Sequence, residues 1–166
     1  MNIISSLINL INSLFKDKPV VLPEVNKTLI AWATIIQELA HLGLECQLKD
    51  NYCYPDMQVH TTDLEGWNSI VPYLTYPGDL YVAEDADCED YARWASSDAS
   101  KIFRLGSCLQ CWGHVSNNQA NGSHAWNLVR VDVGDWRLFD ANAGFDCSSS
   151  LFQIGENGYS PKSWKI

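Results

Sequence analysis

Residues 124–142 read HAWNLVRVDVGDWRLFDAN, and the way this stretch folds back on itself decides the architecture. Two runs rich in β-branched and aromatic side chains, His124–Val131 and Asp135–Asn142, flank Asp132-Val133-Gly134. That pattern predicts antiparallel strands joined by a three-residue loop with Gly134 in the left-handed conformation. In this register Val131 opposes Asp135 and Trp126 opposes Asp140. His124 then lies diagonal to Asp140 on the same sheet face, roughly 7–8 Å away at the backbone, a gap that an imidazole and a carboxylate can close. A two-residue loop would shift the parity and turn the two side chains to opposite faces.

Upstream, alternation over Leu109–Ser116 predicts a third strand, separated from the second by a polar loop, Asn117–Ser123, containing an Asn-Gly pair. Before the strands, Asp87 is a good helix N-cap, and Asp90 three residues on completes a capping-box spacing with Asp in place of Glu. The helix it opens is expected to reach about Leu105 and stop at Gly106, with Cys88 in its first turn. A short helix is expected over Leu64–Val71. Another is expected over Asn26–Leu42, opened by an Asn cap and closed by Gly43. Residues 1–15 set Ile4, Leu7, Ile8, Ile11, Leu14 and Phe15 at helical spacing, and residues 16–25, with Pro19 and Pro23, read as a linker. The expectation is therefore an amphipathic helix and linker over 1–25 and one α+β domain over 26–166.

Composition narrows the function. The chain has 166 residues, 46% of them apolar, and 20 acidic against 11 basic side chains, a net charge of −9. A chain of this length buries on the order of 70% of its extended surface, so it needs no disulfide or metal to fold. The negative balance weighs against non-specific binding to nucleic acid or anionic lipid. No apolar run approaches the roughly 20 residues of a spanning helix. The first basic residue, Lys16, follows the apolar N-terminal stretch, unlike a secretory signal, so a cytoplasmic, reducing location is expected. There the cysteines at 46, 53, 88, 108, 111 and 147 read as buried thiols, metal ligands or a nucleophile.

A thiol at a helix N-terminus, a histidine in one strand and a carboxylate in its neighbour are the groups that nucleophilic acyl transfer requires. The helix end favours thiolate and offers backbone N–H groups, the imidazole carries the proton, and the carboxylate orients the imidazole. The acidic neighbours of Cys88 oppose the thiolate.

Three blocks carry a resemblance. Asp87-Cys88-Glu89-Asp90-Tyr91-Ala92, then Ser123-His124-Ala125-Trp126, then Trp136-Arg137-Leu138-Phe139-Asp140-Ala141 are together similar to the transglutaminase-like superfamily of papain-like cysteine enzymes. The similarity extends over about residues 76–144. It implies a papain-like core, with Cys88 as nucleophile, His124 as general base and acid, and Asp140 as orienting carboxylate. It also implies a protein or peptide substrate and no cofactor. Ala86 stands where the family often has Gly, and the cysteine-rich stretch 108–111 falls outside its pattern. For the oxyanion, the Cys88 N–H is one expected donor, with Trp67 or Tyr81 as the second. Trp126 is expected to pack beside His124. Hydrolysis is expected over amine cross-linking. The alternatives are an inactive transglutaminase-like module assembling through residues 1–15, a peptide N-glycanase-like amidase, and a zinc-stapled module. The last would use Cys108, Cys111 and His114 with a fourth ligand from Cys46, Cys53 or Cys147.

Overall fold

The computed structural model describes residues 21–47 and 57–166; the expected helix over 1–15 and Cys53 lie outside the described residues. The chain runs through β1 (Thr28–Ala31), α1 (Trp32–His41), β2 (Glu45–Cys46), β3 (Gln58–Thr61), α2 (Leu64–Ile70), α3 (Cys88–Phe103), β4 (Cys108–Ser116), β5 (Asn121–Asp132), β6 (Asp135–Phe139), β7 (Phe152–Gln153) and β8 (Tyr159–Lys165). β1 and β3 form a small antiparallel pair. The other strands make one mixed sheet in the order β2-β8-β4-β5-β6-β7, in which β2 and β8 run parallel. The protein is thus α+β. Among the described residues no helix is long and apolar enough to cross a membrane.

Several local expectations shift. The helix expected from Asn26 begins at Trp32, because Thr28–Ala31, carrying the β-branched Thr28 and Ile30, pairs with β3 instead. Its end stands as read: Gly43 takes φ 72°, the left-handed turn that releases a helix. α3 closes at Arg104 (φ 59°) and not at Gly106. Gly106 answers a different need, since a Cβ there would come within 2.9 Å of the Val59 side chain. The Asn121-Gly122 pair lies in β5, because Asn117 closes a tighter turn by accepting the N–H groups of Gln119 (2.9 Å) and Ala120 (3.0 Å) on its side-chain oxygen.

The hairpin between β5 and β6 reaches the expected register by a different route. Asp132 pairs with Asp135 across only two residues, and Val131 is then skipped, so that Arg130 opposes Trp136 and Asn127 opposes Phe139. The bulge restores the parity that the two-residue turn would have broken. The sheet consequently sorts its side chains into two cores. Leu109, Cys111, Trp126, Leu128 and Leu138 pack toward α1. Cys108, Val129, Val131 and Phe139 pack toward α2 and α3.

Two polar anchors fix the layers. Asn127 of β5 donates through Nδ2 to the Ala92 carbonyl (2.8 Å) and the Ser96 hydroxyl (3.1 Å), tying α3 to the sheet. Arg130 makes a bidentate pair with Glu38 of α1 at 2.8 Å, and the Trp136 indole N–H donates to the same carboxylate at 2.9 Å. The Arg130 carbonyl accepts from Thr61 and from the Trp67 indole, so α1, α2 and the β1–β3 pair converge on one residue. Burial works to raise Glu38, but the hydrogen bonds from Arg130, the Gly134 backbone and Trp136 hold the carboxyl below its ordinary value. Removing one partner of a buried pair strands the other charge. Glu38→Ala is therefore expected to cost about 3–5 kcal/mol in urea unfolding. Because folding lowers this carboxyl's pKa, its contribution is present above the ordinary value near 4.5 and lost as pH falls below it. Melts across that window in the parent and the variant check the sign.

Candidate active site

α3 begins with a complete capping box. The Asp87 carboxylate accepts the Glu89 N–H at 3.1 Å, and the Asp90 carboxylate accepts the Asp87 N–H at 3.2 Å. Asp90 also pairs with Arg93. The box sets Cys88 as the first helical residue, half-buried, with the helix N–H groups behind it.

His124 is buried near the start of β5, and Asp140, 1% exposed, follows the last residue of β6. The His124 Nε2–H donates to Asp140 Oδ2 at 2.7 Å. The same oxygen accepts the Tyr159 hydroxyl at 2.8 Å, and Oδ1 accepts the Asn142 N–H at 2.8 Å. The Cys88 side chain lies close enough to His124 to raise its pKa, and with Nε2 given to Asp140 the nitrogen left to face the thiol is Nδ1. Burial alone would lower the imidazole; the bonds to Asp140 and Cys88 outweigh it and raise its pKa to about 9. At neutral pH the ring is an imidazolium between two acidic groups. Trp126, Tyr159 and Phe145 surround it, with ring centroids 5.9, 5.9 and 4.8 Å away. They keep water from the His124–Asp140 bond.

Cys88 and His124 open onto a cleft of about 440 Å³, lined also by Gly78, Tyr81, Asn142 and Phe145. This is a volume suited to a small ligand or a few residues of a peptide. Tyr81 is exposed at the cleft wall. Partial desolvation, and after it the nearby acidic groups of Cys88, Asp87 and Glu84, raise its pKa, so the hydroxyl keeps its proton as a donor. Trp67 does not belong to the site: its ring is fully buried in the core beneath α3 and its N–H is committed to Arg130 at 2.9 Å. Trp126 is likewise fully buried, packed beside the histidine rather than lining the cleft.

Cys108 and Cys111 sit three residues apart in one strand, so they point to opposite faces. Burial raises the Cys108 thiol to about 12 and the Cys111 thiol further still. His114 is exposed and bonded to Asn121 at 3.2 Å. These residues do not converge, and among the described residues no group of three or more His, Cys, Asp or Glu side chains is arranged to hold a metal ion.

Sequence reasoning missed Tyr159, Asn142 and Phe145. Tyr159 lies in a stretch interrupted by Gly158 and Pro161, where strand alternation is hard to read. Its pKa is raised, chiefly by burial and then by Asp140, so it remains a donor. It is also the group on which the half-buried Cys147 thiol rests, at 3.6 Å. Folding raises His124 from 6.5 to about 9, so the stability it contributes is complete below pH 6.5 and lost as pH rises through about 9. Urea midpoints are expected to fall across that interval, and Asp140→Asn to remove most of the dependence. Tyr159→Phe is expected to cost about 1–2 kcal/mol. It should also move the His124 titration upward, since the carboxylate loses a competing donor; NMR of the imidazole measures the shift.

No family model matches the sequence, and no curated protein matches it. Among solved structures, the chain is similar to the PSL1a-E64 complex, with a TM-score of 0.54 and 15% sequence identity. The likeness covers 83% of this chain and 51% of that one, so the chain spans about half the length of this structural relative and shares its fold.

Proposed function

We propose that this chain is a cysteine-dependent acyl-transfer enzyme with a papain-like, transglutaminase-like core, acting on an amide bond of a protein or peptide. One observation carries the reading: a buried imidazole hydrogen-bonded to a carboxylate shares the wall of one cleft with a helix-terminal thiol. The structural relative's partner E64, a cysteine protease inhibitor, is consistent with it.

In this mechanism the Cys88 thiolate attacks the amide carbonyl, forming a C–S bond and an oxyanion. The Cys88 N–H and the Tyr81 hydroxyl donate to that oxyanion. As the intermediate collapses, the C–N bond breaks and His124 gives its Nδ1 proton to the departing amine, leaving a thioester. Water then attacks the thioester carbon and passes a proton to His124, and the acid leaves with the thiolate regenerated. An amine in place of water gives transamidation; the half-buried thiol at a solvent-reached cleft favours hydrolysis. Throughout, Asp140 fixes the ring and offsets its charge.

Thiol labelling tests the assignment. Near pH 6, iodoacetamide should modify Cys88 at least about tenfold faster than the other cysteines, with sites mapped by peptide mass. His124→Ala should abolish the preference and Asp140→Ala should weaken it. Against a library of quenched peptide amides, His124→Ala should lose about 10²–10⁴-fold in turnover. Cys88 labelling no faster than Cys46 or Cys147 would overturn the reading.

A further inference from the structure

The cleft walls come from three parts of the chain, near Gly78–Cys88, Val115–His124 and Asn142–Phe145. No Asp, Glu, Lys or Arg is among the lining residues. The surroundings are one-sided. From Met57 to Ala92 the sequence has eight acidic residues and no Lys or Arg; from Leu105 to Val129 it has neither sign; from Leu138 to Pro161 it has three acidic residues and again no Lys or Arg. Asp79, Glu84, Asp85 and Glu89 are exposed on one side of the cleft and Asp146 on the other. Glu84 lies near enough to the cleft wall to act on the Tyr81 hydroxyl there. Of the basic side chains next to these segments, Arg93 pairs with Asp90, Arg130 with Glu38 and Arg137 with Asp135, and neither Arg104 nor Lys162 lines the cleft.

Resting on the cysteine-enzyme reading above, we propose that the Cys88 cleft selects amide substrates with ammonium or guanidinium groups beside the scissile carbonyl. Lysine- or arginine-bearing peptides fit, and acidic peptides and phosphate-bearing acyl donors are rejected. The cleft with its thiol–imidazole pair is the site, and the acidic rim sets which charge enters. The rim residues lie one to three positions from the lining, a separation comparable to the Debye length of roughly 8 Å at physiological salt, so much of their field survives there. A concave wall of low polarity focuses it and raises the local concentration of cations. An anionic donor meets the same field as repulsion, with no Arg or Lys in the cleft lining to answer it.

Charged thiol probes read that field without requiring turnover. The full chain is treated with methanethiosulfonates carrying a trimethylammonium, a neutral methyl or a sulfonate group. Rates at Cys88 are divided by those for a free cysteine peptide. At low salt the normalised ratio of cationic to anionic rates is expected to be at least about tenfold. It should approach unity near 1 M salt, where the Debye length is about 3 Å. The Asp79→Asn, Glu84→Gln, Asp85→Asn triple variant should lose most of the ratio while keeping the neutral rate. Protection of Cys88 against the neutral probe by oligolysine, spermidine or oligoglutamate separates the sources: oligolysine is expected to protect best, and oligoglutamate least. A normalised ratio near unity at low salt, with brisk neutral labelling that depends on His124, overturns the charge selection alone. A Cys88 that resists even the neutral probe, or labels independently of His124, overturns the cysteine-enzyme reading and this inference together.

Discussion

One extra residue on β5 governs the site. With Asp132 paired to Asp135 and no bulge, strict pairing would set Asp140 opposite Asn127, on the sheet face that α3 covers. Skipping Val131 moves every later pair by one, so Asp140 faces the side on which His124 and Trp126 stand. Val131 itself is held in the core beneath α2 and α3, and burying its side chain fixes the bulge where it is. A one-residue slip in a half-buried sheet turns every side chain over. Here the slip is built in, and the meeting of imidazole and carboxylate depends on it.

Around that register the buried polar groups are few, and the carboxylate among them is well supplied with donors. Asp140 is almost completely buried, and three donors share its two oxygens. A charge taken out of water at this depth is tolerable only with such partners. The approach of Cys88 is set from the other side. Asn127, three residues along β5 from His124, grips α3 at Ala92, four residues from Cys88. A short lever thus links strand and helix through one buried amide, and the capping box fixes the helix's first turn relative to it.

Much of this was legible from residue types. The capping residues Asp87 and Asp90, the alternation in 108–139, and the diagonal relation of His124 to Asp140 all follow from short-range rules. The register was reached through a three-residue loop, whereas the chain uses a two-residue turn and a bulge with the same parity. What escaped reading shares one cause, dependence on distant partners. Thr28–Ala31 is a strand only because Gln58–Thr61 lies beside it. Tyr159 matters only because β8 enters the sheet next to β4. Trp67 looked like a site residue until α2 carried it into the core. The zinc reading of Cys108 and Cys111 gives way to strand alternation alone.

The place of β8 has a consequence for the timing of assembly. The last strand in the chain is not an edge strand; it threads between β2 and β4, pairing Glu45 with Ser163 and Val115 with Tyr159. Contacts of such sequence separation form late in folding, after local hairpins and helices. Until β8 docks, Asp140 lacks the Tyr159 hydroxyl and the imidazole lacks one wall of its aromatic enclosure. The nascent chain therefore holds His124 and Asp140 on neighbouring strands before their enclosure is complete, and on the proposed function Cys88 meets a finished partner only as the domain closes.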